Sequence, residues 1–203
     1  SGLTASCRGI SALNDQVIWI SGGEGKFSRT GDGGKTWRVG SVPGADSLDF
    51  RDVEVVDART IYLLSAGPGA KSRIYKTTDG GNNWQQQFVN EFENGFLNAF
   101  AFWDARRGIA VGDPVDGYPF ILRTGDGGAT WTRVDNDNLP RMQAGEYGFA
   151  ASGTNVAVHG SGHVWLGTGG STARVFRSAD GGDSWTVAET PIRSGNASSG
   201  IFS

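Results

Sequence analysis

One nine-residue pattern recurs four times along this chain: "RTGDGGKTW" ends at Trp37, "KTTDGGNNW" at Trp84, "RTGDGGATW" at Trp131 and "RSADGGDSW" at Trp185. Its aspartates, Asp32, Asp79, Asp126 and Asp180, stand 47, 47 and 54 residues apart. A spacing of roughly 40 to 50 residues is that of a four-stranded propeller blade. A repeat this regular leaves little of a 203-residue chain for any other architecture.

The flanking segments supply the strands. In the second repeat "FRDVEVV" alternates, "DART" turns, and "IYLLSA", "SRIYKT" and "WQQQFV" follow as further strands. The third repeat has the same order in "NAFAFW", "GIAVG", "FILRT" and "WTRV", the first in "GISAL", "VIWIS", "KFSRT" and "TWRVG", and the fourth in "NVAVH", "HVWLG", "RVFRS" and "SWTVA". The expected blades cover about 6–43, 47–90, 96–136 and 147–192, and residues 199–203, "SGIFS", read as the start of a further blade. The expectation is an all-β propeller of four-stranded antiparallel blades, four of them visible, belonging to a six- or seven-bladed ring.

Each glycine-rich box falls in the hairpin between the third and fourth strands. A carboxylate at a hairpin tip accepts backbone N–H groups that the tight turn leaves unpaired, and the glycines supply positive φ. The hydroxyl two positions earlier (Thr30, Thr77, Thr124, Ser178) adds a bond to the same turn. The second glycine (Gly34, Gly81, Gly128, Gly182) allows close approach, and the tryptophan (Trp37, Trp84, Trp131, Trp185) is expected to begin the fourth strand and bury its ring against a neighbouring sheet.

The four copies of S/T-x-D-G-G-x-x-W resemble the Asp-box, or BNR, repeat family. The residue before the tryptophan is Thr36, Thr130 or Ser184 in three copies and Asn83 in the second, a local departure from the pattern. The resemblance covers nearly the whole chain. Family members include bacterial sialidases, other glycan hydrolases, sortilin-type receptors and photosystem II stability and assembly factors, and the compact repeats with "DARRGIAVGD" between boxes are most similar to the assembly-factor-like bacterial proteins. The resemblance implies a propeller, and it implies export to the periplasm or exterior.

Composition excludes several functions. With 18 Lys plus Arg against 21 Asp plus Glu the formal charge is -3, which offers no general attraction to nucleic acid or to an acidic membrane surface. No apolar run approaches the roughly 18 residues of a membrane span. Cys7 is the single cysteine, so neither an intrachain disulfide nor a multi-cysteine metal site is available. "GDGGKT" lacks the spacing of a phosphate loop and leads to a strand rather than a helix. The boxes offer one constant carboxylate each and no distal glutamate for calcium. His159 and His163 would share a face only on a helix, which the glycines around them oppose. Ser152 has no acid-base partners nearby in sequence. No cofactor or metal is expected.

In an up-and-down blade successive turns alternate between faces. The boxes therefore lie opposite the loops joining second to third strands and the connections between blades, and that second face is where a ligand is expected. It holds Glu91 and Glu93 in "NEFENGF", Asp113, Asp116 and Tyr118 in "DPVDGYP", and Arg141, Glu146 and Tyr147 in "NDNLPRMQAGEYGF". The seven extra residues between the third and fourth boxes enlarge that last connection. Paired carboxylates there would suit glycoside cleavage. Against a sialidase, Arg29, Arg123 and Arg177, with Lys76, sit at one repeated strand position before the boxes, as a scaffold would have them. The leading expectation is a noncatalytic platform recognising a protein or glycan; the alternative is a secreted carbohydrate-active hydrolase.

Overall fold

The structure, a computed structural model, describes residues 5–150 and 153–201. Ser152 and the last two residues of "SGIFS" thus lie outside the described residues. Four antiparallel sheets of four strands account for nearly all regular structure. The first contains β1 (Cys7–Ala12), β2 (Ile18–Gly22), β3 (Lys26–Thr30) and β4 (Arg38–Ser41). The second contains β5 (Asp49–Val55), β6 (Ile61–Ala66), β7 (Arg73–Thr77) and β8 (Gln85–Val89). The third contains β9 (Leu97–Phe102), β10 (Gly108–Val115), β11 (Tyr118–Thr124) and the short β12 (Thr132–Arg133). A two-stranded ribbon, β13 (Glu146–Tyr147) with β16 (Gly169–Gly170), borders the fourth sheet of β14 (Val156–His159), β15 (His163–Gly167), β17 (Arg174–Ser178) and β18 (Thr186–Glu189).

Each sheet is a meander in chain order, and the sheets pack face to face through their first strands, β1 on β5, β5 on β9 and β9 on β14. Three apolar layers fill the gaps. Trp19 and Phe27 of the first blade meet Val53, Val55, Ile61 and Leu63 of the second. Tyr62, Leu64 and Ile74 of the second meet Phe100, Phe120 and Leu122 of the third. Ile109, Val111 and Ile121 of the third meet Val164, Leu166, Phe176 and Trp185 of the fourth. Strand alternation explains the division: the two faces of the second and third blades carry different residues of the same strands, and both are apolar because both are covered. Among the described residues the first and fourth sheets share no packed strand pair of this kind, so the four blades trace an open arc.

A repeated contact registers each blade on the next. Trp19, Tyr62, Ile109 and Trp165 pair across the sheet with Arg29, Lys76, Arg123 and Arg177 respectively. The first three point at the box of the following blade: a Cβ on Gly81 would lie 2.7 Å from Trp19, one on Gly128 3.0 Å from Tyr62, and one on Gly182 3.0 Å from Ile109. The cations reach the same turns. Lys76 Nζ donates to Gly127 O at 2.6 Å, where the Tyr62 hydroxyl also donates at 2.6 Å, and Arg123 is ion-paired with Asp183. Lys76 and Arg123 thus bind blade to blade.

Candidate functional site

The box hairpins are built alike. In the first, Asp32 accepts the Thr36 N–H at 2.9 Å and the Thr36 hydroxyl at 2.6 Å, while Thr30 Oγ1 donates to Asp32 at 2.8 Å and accepts the Gly34 N–H at 3.0 Å. Asp79, Asp126 and Asp180 hold the same set, with Asn83 Nδ2 donating at 2.7 Å where the other boxes use a hydroxyl. Asn83 therefore replaces the missing hydroxyl in kind. These bonds stabilise the ionised carboxylates: the Thr36 hydroxyl and N–H lower Asp32 to about 2, and the N–H groups of Asn83 and Thr130 lead the lowering of Asp79 and Asp126 to about 2. At Asp180 burial opposes the charge, and the bonds from Ser184 and Ser178 outweigh it.

The tryptophans differ from one another in a way the pattern does not reveal. Trp185 is buried, Trp84 and Trp131 are partly buried in the layers toward the preceding blade, and Trp37 is 40% exposed because no described sheet covers that face. Each fourth strand begins one residue after its tryptophan rather than on it. In the first and last boxes the indole turns back to donate to the box carbonyl, Trp37 to Gly34 and Trp185 to Gly182.

On the opposite face, three of the eight candidate ligand residues, Tyr118, Arg141 and Glu146, come together, with a fourth, Asp116, in the adjoining turn. Asp116 and Gly117 form the tight hairpin between β10 and β11, both at positive φ, with Tyr118 following. The Arg141 guanidinium lies 4.6 Å from the centre of the Tyr118 ring, and the neighbouring Met142 N–H donates to Gly117 O at 2.9 Å. Beneath them Glu146, 1% exposed, accepts from Arg174 Nη2 at 2.5 Å and Nε at 3.0 Å, from Thr168 Oγ1 at 2.6 Å and from the Gln143 N–H at 2.8 Å. Arg174 also donates to Arg141 O at 2.8 Å. Tyr118, Arg141 and Glu146 therefore form one connected unit, with the carboxylate inside it and the stacked guanidinium on top.

The remaining candidates are dispersed. Asp113 accepts from Asn98 Nδ2 at 3.0 Å and from the Gly148 N–H at 3.1 Å, and burial raises its pKa. Tyr147 donates its hydroxyl to Ala197 O at 3.0 Å and meets Phe149 edge to face. Glu91 and Glu93 are exposed on the connection between the second and third blades.

Two features escaped the sequence reading. A crevice of about 490 Å³ lies between the third and fourth blades on the box side, lined by Trp103, Arg107, Arg123, Asn138, Asp180 and Asp183 among others. The two-residue β12 (Thr132 and Arg133) forms part of its wall. The second feature is an acidic pair inside β5, in the "FRDVEVV" strand. Asp52 is 7% exposed and accepts the Phe100 N–H of the next blade at 2.9 Å, and burial holds its pKa well above the ordinary carboxylate value. Burial raises its neighbour Glu54 to about 7. The described residues contain no grouping of three or more His, Cys, Asp or Glu fit to hold a metal. No described helix is long and apolar enough to cross a membrane.

No protein-family description matches the chain, and no curated protein matches it in sequence. Solved structures do. The structure of YCF48 bound to D1 peptide aligns over 94% of this chain and 85% of that one, with a TM-score of 0.53 and 17% identity. A GH74 enzyme of Niastella koreensis aligns over 90% of this chain and 24% of that one, with a TM-score of 0.61 and 17% identity. An ancestral GH74 enzyme aligns over 96% and 27%, with a TM-score of 0.67 and 12% identity. The chain thus spans about a quarter of the length of these two enzymes. At such identities the likeness establishes the fold: the chain is built as a β-propeller of four-stranded antiparallel blades.

Proposed function

We propose that the chain is a noncatalytic recognition platform that holds a protein segment on its loop face, similar in role to an assembly factor. The observation that carries this reading is the Tyr118–Arg141 stack fixed above the Glu146–Arg174 pair. Arg141 is exposed and has no carboxylate partner among the described residues, so its donors are available to a partner. Its ring support and its carbonyl anchor reduce the freedom lost on binding. A stacked Arg and Tyr on a rigid scaffold is the composition of an interface hot spot. The sequestration of Glu146, with both oxygens engaged, supports a structural rather than an acid-base role for that carboxylate. The YCF48 structure with its bound peptide is the basis for choosing a protein segment over a glycan.

A hydrolase remains the second reading, because Glu54 is held near neutral pH and the fold is shared with GH74 enzymes. One experiment separates the two. A peptide array and a glycan panel are probed with the chain and with Arg141→Ser. Peptide binding lost in the variant, with no glycan turnover, is the expected result; turnover abolished by Glu54→Gln would replace the platform with the enzyme. On the same family resemblance we assign the chain to the periplasm or exterior.

We further propose that Ser199–Ile201 open another blade. Ser199 O accepts the Gly170 N–H at 2.7 Å, as Leu48 O accepts from Gly25 at 2.9 Å and Gly95 O from Gly69 at 3.0 Å where the chain enters the second and third blades.

A further inference from the structure

The rim between the second and third blades carries a groove of about 330 Å³, apart from the loop-face unit of Tyr118 and Arg141. One wall is β8 and its continuation through Glu91 and Phe92; the other is formed by Phe120, Trp131 and Arg133. The Arg133 guanidinium lies 4.7 Å from the centre of the Phe92 ring and 5.5 Å from that of Phe120. Its Nη2 donates to Asn136 Oδ1 at 3.2 Å, but its Nε is buried and has no acceptor. The Trp131 indole N–H on the same wall is likewise buried without an acceptor, as is that of Trp84 in the second box, whereas those of Trp37 and Trp185 bond to their box carbonyls. No carboxylate among the described residues comes within ion-pair distance of Arg133; Glu91 lines the groove and stays outside it. Phe92 is 41% exposed.

An arginine with no carboxylate partner, set against the exposed Phe92 ring, selects a ligand that brings a carboxylate beside an apolar group. The groove follows β8 from Gln87 to Val89 and runs on to Phe92, so it is long in the strand direction and matches an extended chain. In an extended chain residues two apart face the same side. We propose that this groove binds an extended protein segment with an acidic side chain two residues from an apolar one, the acid meeting Arg133 and the apolar group resting on the exposed Phe92 ring. The Glu91 carboxylate in the groove and the overall charge of -3 disfavour a polyanion such as nucleic acid.

The test uses an acetylated and amidated hexapeptide centred on Glu, Ser and Phe, and a twin with Gln in place of Glu, each titrated into the chain by calorimetry. The Glu peptide is expected to bind saturably and the Gln twin about ten-fold more weakly or worse. Arg133→Gln should abolish the difference between the twins. Phe92→Ala should weaken both, and because Phe92 is exposed it reports on the groove even where Arg133→Gln lowers stability. Arg141→Ser should change neither, which separates this site from the loop face. Equal affinity for the twins, or no saturation by the Glu peptide into the millimolar range, overturns the proposal.

Discussion

Gly81 lies so close to the edge of the Trp19 ring that a Cβ at position 81 would sit 2.7 Å from Cη2. The glycine belongs to the second box and the tryptophan to the first blade, so one residue both permits a turn at φ +87° and seats two blades together.

Gly81→Ala should therefore be much more damaging than the same change in the first box. Gly34 has the same φ of +87°, but the nearest atom a Cβ there would meet is in Trp37 at 3.8 Å. Gly34→Ala is expected to cost about 1 kcal/mol of backbone strain, and Gly81→Ala about 2 to 4 kcal/mol as steric overlap is added. Urea unfolding of the two variants measures the difference, and equal losses would show that the blade contact does not matter.

Two sets of carboxyl groups should give stability opposite pH slopes. The box aspartates Asp32, Asp79 and Asp126 are lowered to about 2 by their hydrogen bonds. Their contribution is complete above the ordinary carboxylate range and is lost as pH falls toward 2. Glu54 is raised by burial to about 7, so the folded state favours its protonated form. That contribution is complete below its ordinary pKa and is lost as pH rises through 7. The melting temperature is expected to fall on both sides of pH 5, and Glu54→Gln should reduce the alkaline slope and leave the acid side unchanged, with Asp52 and Asp113, also raised by burial, carrying the rest of the alkaline fall.

Glu146→Gln leaves the Arg174 guanidinium buried without its counter-charge. The expected loss is about 3 to 5 kcal/mol, the cost of breaking a buried pair from one side. Replacing both partners, Glu146→Leu with Arg174→Met, should recover much of it. A urea midpoint for the double variant no higher than that of the single would contradict this account.

The scaffold was legible in the sequence because its determinants are local and repeated: the box bonds join residues two to four positions apart, and strand alternation declares which residues are covered. What the repeat could not reveal was set by neighbours distant in sequence. Glu146 looked like a surface acid because its partner Arg174 lies 28 residues away, inside the next repeat. Asp52 looked like the polar half of an alternating strand, yet its partner is the backbone of Phe100, 48 residues on. The rim groove depends on Phe92 and Arg133 meeting across two blades. No spacing rule connects such residues, since each contact follows from how whole sheets stack.

The same stacking predicts unequal effects at equivalent positions. Tyr62 and Trp165 each pair opposite the cation that precedes a box, but Tyr62 is fully buried against the third blade while Trp165 stays partly exposed and stacks on His163 at 5.8 Å. Asn155 marks the same boundary. Gly167, three residues past Val164, donates to its carbonyl, which puts Asn155 where Asp52 stands opposite Leu64 in the second blade. Asp52 accepts an N–H from the following blade, whereas the Asn155 amide is buried with no partner. Tyr62→Ala should cost about 3 to 5 kcal/mol, as large aromatic truncations in a core do. Trp165→Ala in this chain should cost no more than about 1 kcal/mol. If a form extended beyond Ser203 raises the Trp165 penalty to that of Tyr62 and protects the indole from acrylamide quenching, the added residues cover this face as one blade covers another; an unchanged penalty would mean that the fourth blade's outer face stays open.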